Sequence, residues 1–154
     1  MPVNLVIRGQ TCTFAWRKLK NRPLIRQTFK KGERLRSKKL IGFLFGDGRG
    51  FFQYPFKTVY FLWPEKREFP VEVLITVSKK KIKSAVKRNK IKRLVREAYR
   101  KNKHILWDSL KDKDQTLLVA FIYVANEVLE FKEIEKKIIL ILQRLKKENE
   151  EADR

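Results

Sequence analysis

One cysteine, Cys12, and one histidine, His104, are all that 154 residues contain of these two types. A single thiol forms no disulfide within the chain, so a hydrophobic core must hold the fold, and a reducing compartment fits. His104 reads as a helix-terminal residue, and the acids between residues 33 and 125 are scattered without metal-ligand spacing. No apolar run approaches the roughly 20 residues of a membrane span, and the N-terminus lacks the apolar stretch of a secretory signal. The sequence therefore predicts a cytoplasmic protein with no membrane partner, no catalytic residue and no metal-binding residue of its own. Acid is missing from the whole N-terminal stretch. Residues 1–29 hold six Lys and Arg, and the first acid is Glu33. Serine is also absent there, which argues against a transit peptide and for a basic, disordered extension.

What is abundant is positive charge. Thirty-eight Lys and Arg stand against seventeen Asp and Glu, a net charge of +21. That much like charge repels itself unless a polyanion neutralises it, and nucleic acid is the common one. A chain that is 43% apolar and 12% aromatic still has the means to build a core. One RNA-binding domain is expected over residues 30–147, with residues 148–154 a frayed tail.

A first helix is predicted from an N-cap at Ser37 to about Phe45, buried through Leu40, Ile41, Leu44 and Phe45, and stopped by the glycines after it. Strands are predicted over Phe56–Trp63 and Val71–Val77. The latter alternates, with Val71, Val73, Ile75 and Val77 on one face and Glu72, Leu74 and Thr76 on the other. The proline-bounded loop from Pro64 to Pro70 suits a hairpin between them. A second helix buries Ile91, Leu94, Val95, Ala98 and Tyr99, leaving Asn89, Arg93, Arg96 and Arg100 as an outward stripe. Thr116–Tyr123 reads as a buried strand, and a last helix from about Glu130 to Lys147 buries Ile134, Ile138, Ile141, Leu142 and Leu145. The expected class is α+β, a compact α/β sandwich with a small central sheet and three helices in the order α-β-β-α-β-α, with room for one more short strand. If the strands flanking the second helix are parallel they form a βαβ crossover, right-handed by default.

The densest charge lies between Ser78 and Lys103, where 26 residues include thirteen Lys and Arg and a single acid, Glu97. A solvated helix face normally mixes signs, because like charges four residues apart weaken a helix. Lys92 and Arg96, and Arg96 and Arg100, are such pairs. The segment is therefore read as a polyanion-binding surface. No zinc spacing, zipper heptad or clear helix-turn-helix pair accompanies it. The aromatics Phe51, Phe52, Tyr54, Phe56, Tyr60 and Phe61 precede it, and unpaired bases stack on rings while cations hold phosphates. RNA is favoured over duplex DNA, with about half of those rings expected in the core.

Ser78-Lys79-Lys80, followed by the run from Ala85 to Arg100 (AVKRNKIKRLVREAYR), resembles the signature segment of the bacterial ribonuclease P protein component. Arg34-Leu35 and the short helix after it resemble the start of that family's domain, and the similarity in element order spans about Thr28 to Lys147. The resemblance implies a ribonucleoprotein in which a catalytic RNA, with Mg2+ bound mainly through that RNA, removes the 5′ leader of precursor tRNA. The protein, one copy per RNA, would bind the RNA through its basic helix and the single-stranded leader in a cleft between the sheet and the first helix. It also implies a left-handed βαβ crossover, against the default.

Carried over position by position, the resemblance assigns RNA binding to Lys79, Lys80 and Lys81 of the loop and to Lys87, Arg88, Asn89, Lys90, Lys92, Arg93, Arg96 and Arg100 of the helix. It assigns the leader cleft to Phe45, Ile41, Tyr60 and Phe56, and the leader-side residue on the first predicted strand is either Val59 or Tyr60. Three positions depart from the family. Lys90 stands where a second Arg is usual, keeping the charge without the bidentate fork. Ile41 stands where an aromatic is common, and the loop from Lys79 to Ser84 is one residue longer.

Three rival readings remain in view. A general RNA-binding or ribosome-associated module shares the charge and the fold. A nuclease with its own active site would need clustered acids or a His–carboxylate pair. A membrane-surface helix would need Trp or Phe anchors that the basic helix lacks.

Overall fold

A computed structural model describes residues 28–152. The expectations for residues 1–27 lie outside the described residues, as does Cys12. In chain order the elements are a 3₁₀ turn at Lys31–Glu33, α1 at Lys38–Gly46, β1 at Arg49–Gln53, β2 at Phe56–Trp63 and β3 at Val71–Val77. Then come α2 at Ala85–Asn102, α3 at His104–Leu110, β4 at Thr116–Tyr123 and α4 at Phe131–Ala152. The sheet order is β1-β2-β4-β3, with β1/β2 and β2/β4 antiparallel and β3/β4 parallel. This is an α+β fold, and the parallel pair joined through α2 is the βαβ crossover anticipated above.

Side-chain alternation divides the sheet into two unlike faces. On one, Phe56, Val71, Val73, Leu117, Val119, Phe121 and Tyr123 join Ile91, Val95, Ala98 and Tyr99 of α2, Leu106 and Leu110 of α3, and Ile134, Ile138 and Leu142 of α4 in the main core. On the other, Val59, Leu118 and Ala120 form a smaller cluster with Leu35 and the Leu40 and Leu44 side chains of α1, and the half-buried Ile41, Phe61, Trp63, Leu74 and Ile122 pack against it. The first face is covered by three helices, the second by one short helix.

Four expectations need correction. There are four helices rather than three among the described residues, because the chain breaks at Lys103, whose Nζ turns inward to the Glu33 carboxylate at 2.9 and 3.0 Å. The additional short strand for which the expectation left room is present as β1, with Phe51 packed near Tyr60 at a ring separation of 6.3 Å. The Pro64–Pro70 loop is not a hairpin, since β4 lies between β2 and β3. Two interstrand spacings of about 4.8 Å are easily bridged by seven residues. The tail does not fray at Glu148. Asn149 is buried, and Arg144–Glu148 and Lys146–Glu150 pairs brace the last turns. At the other end, Phe29 packs edge-on against Tyr99 at 5.6 Å, so the domain includes residues 28 and 29.

Candidate nucleic-acid interface

The basic helix begins where Ser84 caps it, its Oγ accepting from Lys87 N at 3.4 Å. Its buried stripe is the predicted one, with Ile91, Val95, Ala98 and Tyr99 fully enclosed and Leu94 half-buried. Locking that stripe to β3 and α4 turns Lys87, Asn89, Lys90 and Arg93 to solvent, along with Lys79, Lys80 and Lys81 in the loop before it. Lys92 and Arg96 are half-buried on one flank.

Two of the expected contacts are already occupied within the protein. The Arg88 guanidinium donates through Nη1 to the carbonyls of Ile82 and Lys83, at 2.9 and 2.6 Å, so it braces the basic loop against the helix. Arg100 donates to both carboxylate oxygens of Glu97 at 2.9 and 2.6 Å, which makes the end of the outward stripe an ion pair rather than an open cation. That bond, outweighing the opposite pull of burial, holds the Glu97 carboxyl below its ordinary range and raises Arg100.

Arg34 joins the site although sequence reasoning used it only as a landmark. It forms a parallel bridge to Val73 at the outer edge of β3, and its guanidinium lies 5.3 Å from the Phe29 ring. Its Nε is buried without a hydrogen-bond partner. Burial, with the nearby cations of Arg34 and Arg93, lowers the Arg96 pKa. Three guanidiniums gathered this way favour an anion among them. The signal was present in the sequence as Arg34-Leu35, but the fold had to bring it beside α2.

The cleft lies on the sparsely covered sheet face. Rows across it follow from the strand register: Gly50, Val59, Ala120 and Leu74 form one, and Phe52, Lys57, Ile122 and Thr76 the next. α1 sits over the first row. Gly48 makes this approach possible, because a Cβ there would fall 2.0 Å from the Leu44 carbonyl oxygen and 3.0 Å from Val59 Cγ1. Phe43 leans to one side, its ring 5.4 Å from Trp63. Ile41 and Phe45 project from the opposite flank, since two residues of helix turn a side chain by about 200°. Ile41 is half-buried and Phe45 is 48% exposed beside the second row.

Tyr60 and Phe56 do not belong to the cleft. They point to the helix-covered face, where Phe56 is fully buried against Phe121 and Tyr123. The Tyr60 hydroxyl donates to Glu148 of α4, and burial followed by that carboxylate pushes its pKa up to about 12. Of the two alternatives on β2, Val59 is therefore the residue on the cleft side. His104 opens α3 and is exposed. Among the described residues no three His, Cys, Asp or Glu side chains gather as a metal site, and no helix is long and apolar enough to cross a membrane.

A family model described as Ribonuclease P matches residues 17–146. The ribonuclease P protein component of Porphyromonas gingivalis is 43% identical over 106 residues, covering 69% of this chain and 77% of its own. That of Chlorobaculum tepidum is 38% identical over 103 residues, 62% of this chain and 67% of its own. In fold, the solved ribonuclease P protein of Thermotoga maritima overlays 72% of this chain and 96% of its own at a TM-score of 0.57 and 23% identity. That of Staphylococcus aureus overlays 73% and 94% at 0.56 and 20% identity.

Proposed function

Because the chain belongs to the ribonuclease P protein family, we propose that it is the protein subunit of the ribonucleoprotein that removes the 5′ leader from precursor tRNA. On this reading the outward side of α2, with the Lys79–Lys81 loop, lies against the catalytic RNA. The open sheet face beside Phe45 receives the single-stranded leader. The RNA carries out the hydrolysis with its bound Mg2+, and the protein binds and positions. One protein would serve one RNA, in the cytoplasm.

The observation that supports this division of labour is the pairing of two unlike surfaces on one small domain. A polycationic helix with a single acid, Glu97, suits a phosphate backbone, whose neutralisation supplies affinity without reading sequence. A half-apolar sheet face with rings at its rim suits unpaired bases, which stack.

Reconstitution with a bacterial ribonuclease P RNA tests the proposal. The protein should lower the magnesium concentration needed for cleavage and bind leader-bearing tRNA more tightly than mature tRNA. A protein that did neither would be a general RNA-binding module, and one that cleaved precursor tRNA without RNA would overturn the assignment of catalysis.

A further inference from the structure

On the Phe45 side of α1 the floor of the cleft has no aromatic ring, the half-buried Phe61 and Trp63 of the same face lying towards Phe43. Val59, Ala120 and Leu74 form its covered row, and Lys57, Ile122 and Thr76 continue the open one. An unpaired base there can stack only on the rims. One rim is α1 with Phe45. The other is the edge strand β1, where Phe52 is 60% exposed, the most exposed large apolar side chain after Val86 among the described residues. Its neighbours in sequence show that this is not a loose end. Phe51 turns to the opposite face, with the Arg144 guanidinium 4.1 Å from its ring, so strand alternation turns Phe52 to the cleft side. Phe52 sits directly across from exposed Lys57 on the same face. Directly opposed Cβ atoms lie about 5 Å apart, which brings the lysine side chain within reach of the ring. Neither hydrophobic cluster includes it.

We infer that Phe52 is a base-stacking residue for single-stranded RNA, extending the cleft across the sheet from Phe45 to β1, with Lys57 holding the adjoining phosphate. The occupant is chosen by chemistry. Every base presents a π-face to an exposed ring, and a lysine next to it favours the polyanion over an apolar peptide. From β1 to β3 the open row spans three interstrand spacings, about 14 Å, longer than one base. On this inference Phe45, on α1 above β2 and β4, and Phe52, on the edge strand β1, take different nucleotides along that row. This inference rests on the leader-binding reading above.

The test is a series of precursor tRNAs whose leaders lengthen one nucleotide at a time, bound to reconstituted holoenzyme carrying wild-type protein, Phe52→Ala, Phe52→Trp or Phe52→Leu. Phe52→Ala should bind like wild type below a threshold leader length and roughly 5- to 150-fold more weakly above it, the range for losing one stacked base. Phe52→Trp should restore affinity and Phe52→Leu should not. Phe45→Ala should show its own, different threshold. A Phe52→Ala defect equal at all lengths, or absent at all lengths, overturns the inference. So does a change in oligomeric state without a leader-length effect, which would make Phe52 a protein contact. Wild-type holoenzyme that ignores the leader sinks the leader reading itself, an outcome distinct from wild-type discrimination that Phe52→Ala leaves intact.

Discussion

Removing the Glu33 carboxylate should destabilise the domain more than removing any surface ion pair. Lys103 and Glu33 are 5% and 1% exposed, and the Lys103 ammonium reaches both Glu33 oxygens at 2.9 and 3.0 Å and the Thr28 carbonyl at 2.6 Å. It also lies 4.0 Å from the Trp107 ring, and Glu33 accepts from Lys30 N at 3.0 Å. Glu33→Ala leaves a buried ammonium with one carbonyl and one ring. Breaking a buried pair from one side costs about 3–5 kcal/mol, which for a chain of this size is about 6–20 °C in Tm. Glu33→Gln retains a neutral acceptor and should cost about half as much. The double variant Glu33→Met, Lys103→Met removes both charges and should return to within about 2 kcal/mol of wild type. Lys66–Asp114, at 3.7 Å with both side chains exposed, is the control. Asp114→Ala should move stability by at most about 1 kcal/mol. Urea unfolding followed by circular dichroism gives all four values. A Glu33→Ala cost under about 1 kcal/mol, or a double variant as unstable as the single, would refute the reasoning that this pair ties the 28–35 segment to the break between α2 and α3.

Other expectations concern binding and pH. Affinity for the catalytic RNA should fall steeply with salt, and Arg93→Ala should flatten the log–log slope by about 0.7–0.9, the share of one phosphate contact, in filter-binding titrations. Phe45→Ala should weaken leader-bearing tRNA by about 1–3 kcal/mol while leaving assembly with the catalytic RNA near wild type, and Arg93→Ala should do the reverse. Arg88→Ala should lower RNA affinity and also increase amide exchange in residues 79–83, because it releases the Ile82 and Lys83 carbonyls. The Tyr60 pKa is raised to about 12 in the fold, against 10.0 ordinarily. Its contribution is fully present below about pH 10 and is lost as pH rises towards 12, since the unfolded chain ionises first. Tyr60→Phe should lessen the alkaline decline in urea midpoints, leaving the share of Tyr99 and Tyr123, which burial also raises.

The sequence was most readable where one face of an element differed from the other. β3 has Glu72 and Thr76 between its valines, and α2 has cations around a narrow apolar stripe, so the bounds of β3 and the faces of both elements follow from period alone. β2 is an inner strand packed on both sides, and Phe56, Val59, Tyr60, Phe61, Leu62 and Trp63 give no alternation to read. That is why Phe56 and Tyr60 could be placed on the wrong face. Lys57 was the one available clue, because a charge in such a strand marks its less covered side. β1 was hidden by the glycines at 46, 48 and 50, two of which belong to the tight approach of α1 and β1 to the sheet rather than to a long loop. The break at Lys103 had no local signal at all. Its Lys103 ammonium meets Glu33, seventy residues earlier in the chain.

The unequal covering of the two sheet faces has an evolutionary consequence. Most of the buried apolar mass lies on the side closed by α2, α3 and α4, so a substitution there is tested first against folding. Side chains on the rims of the other side, at 41, 45, 52, 57 and 76, touch little of that mass and can vary at small cost in stability. On the proposed leader-binding reading, a lineage can thus retune which leaders it prefers without renegotiating its core.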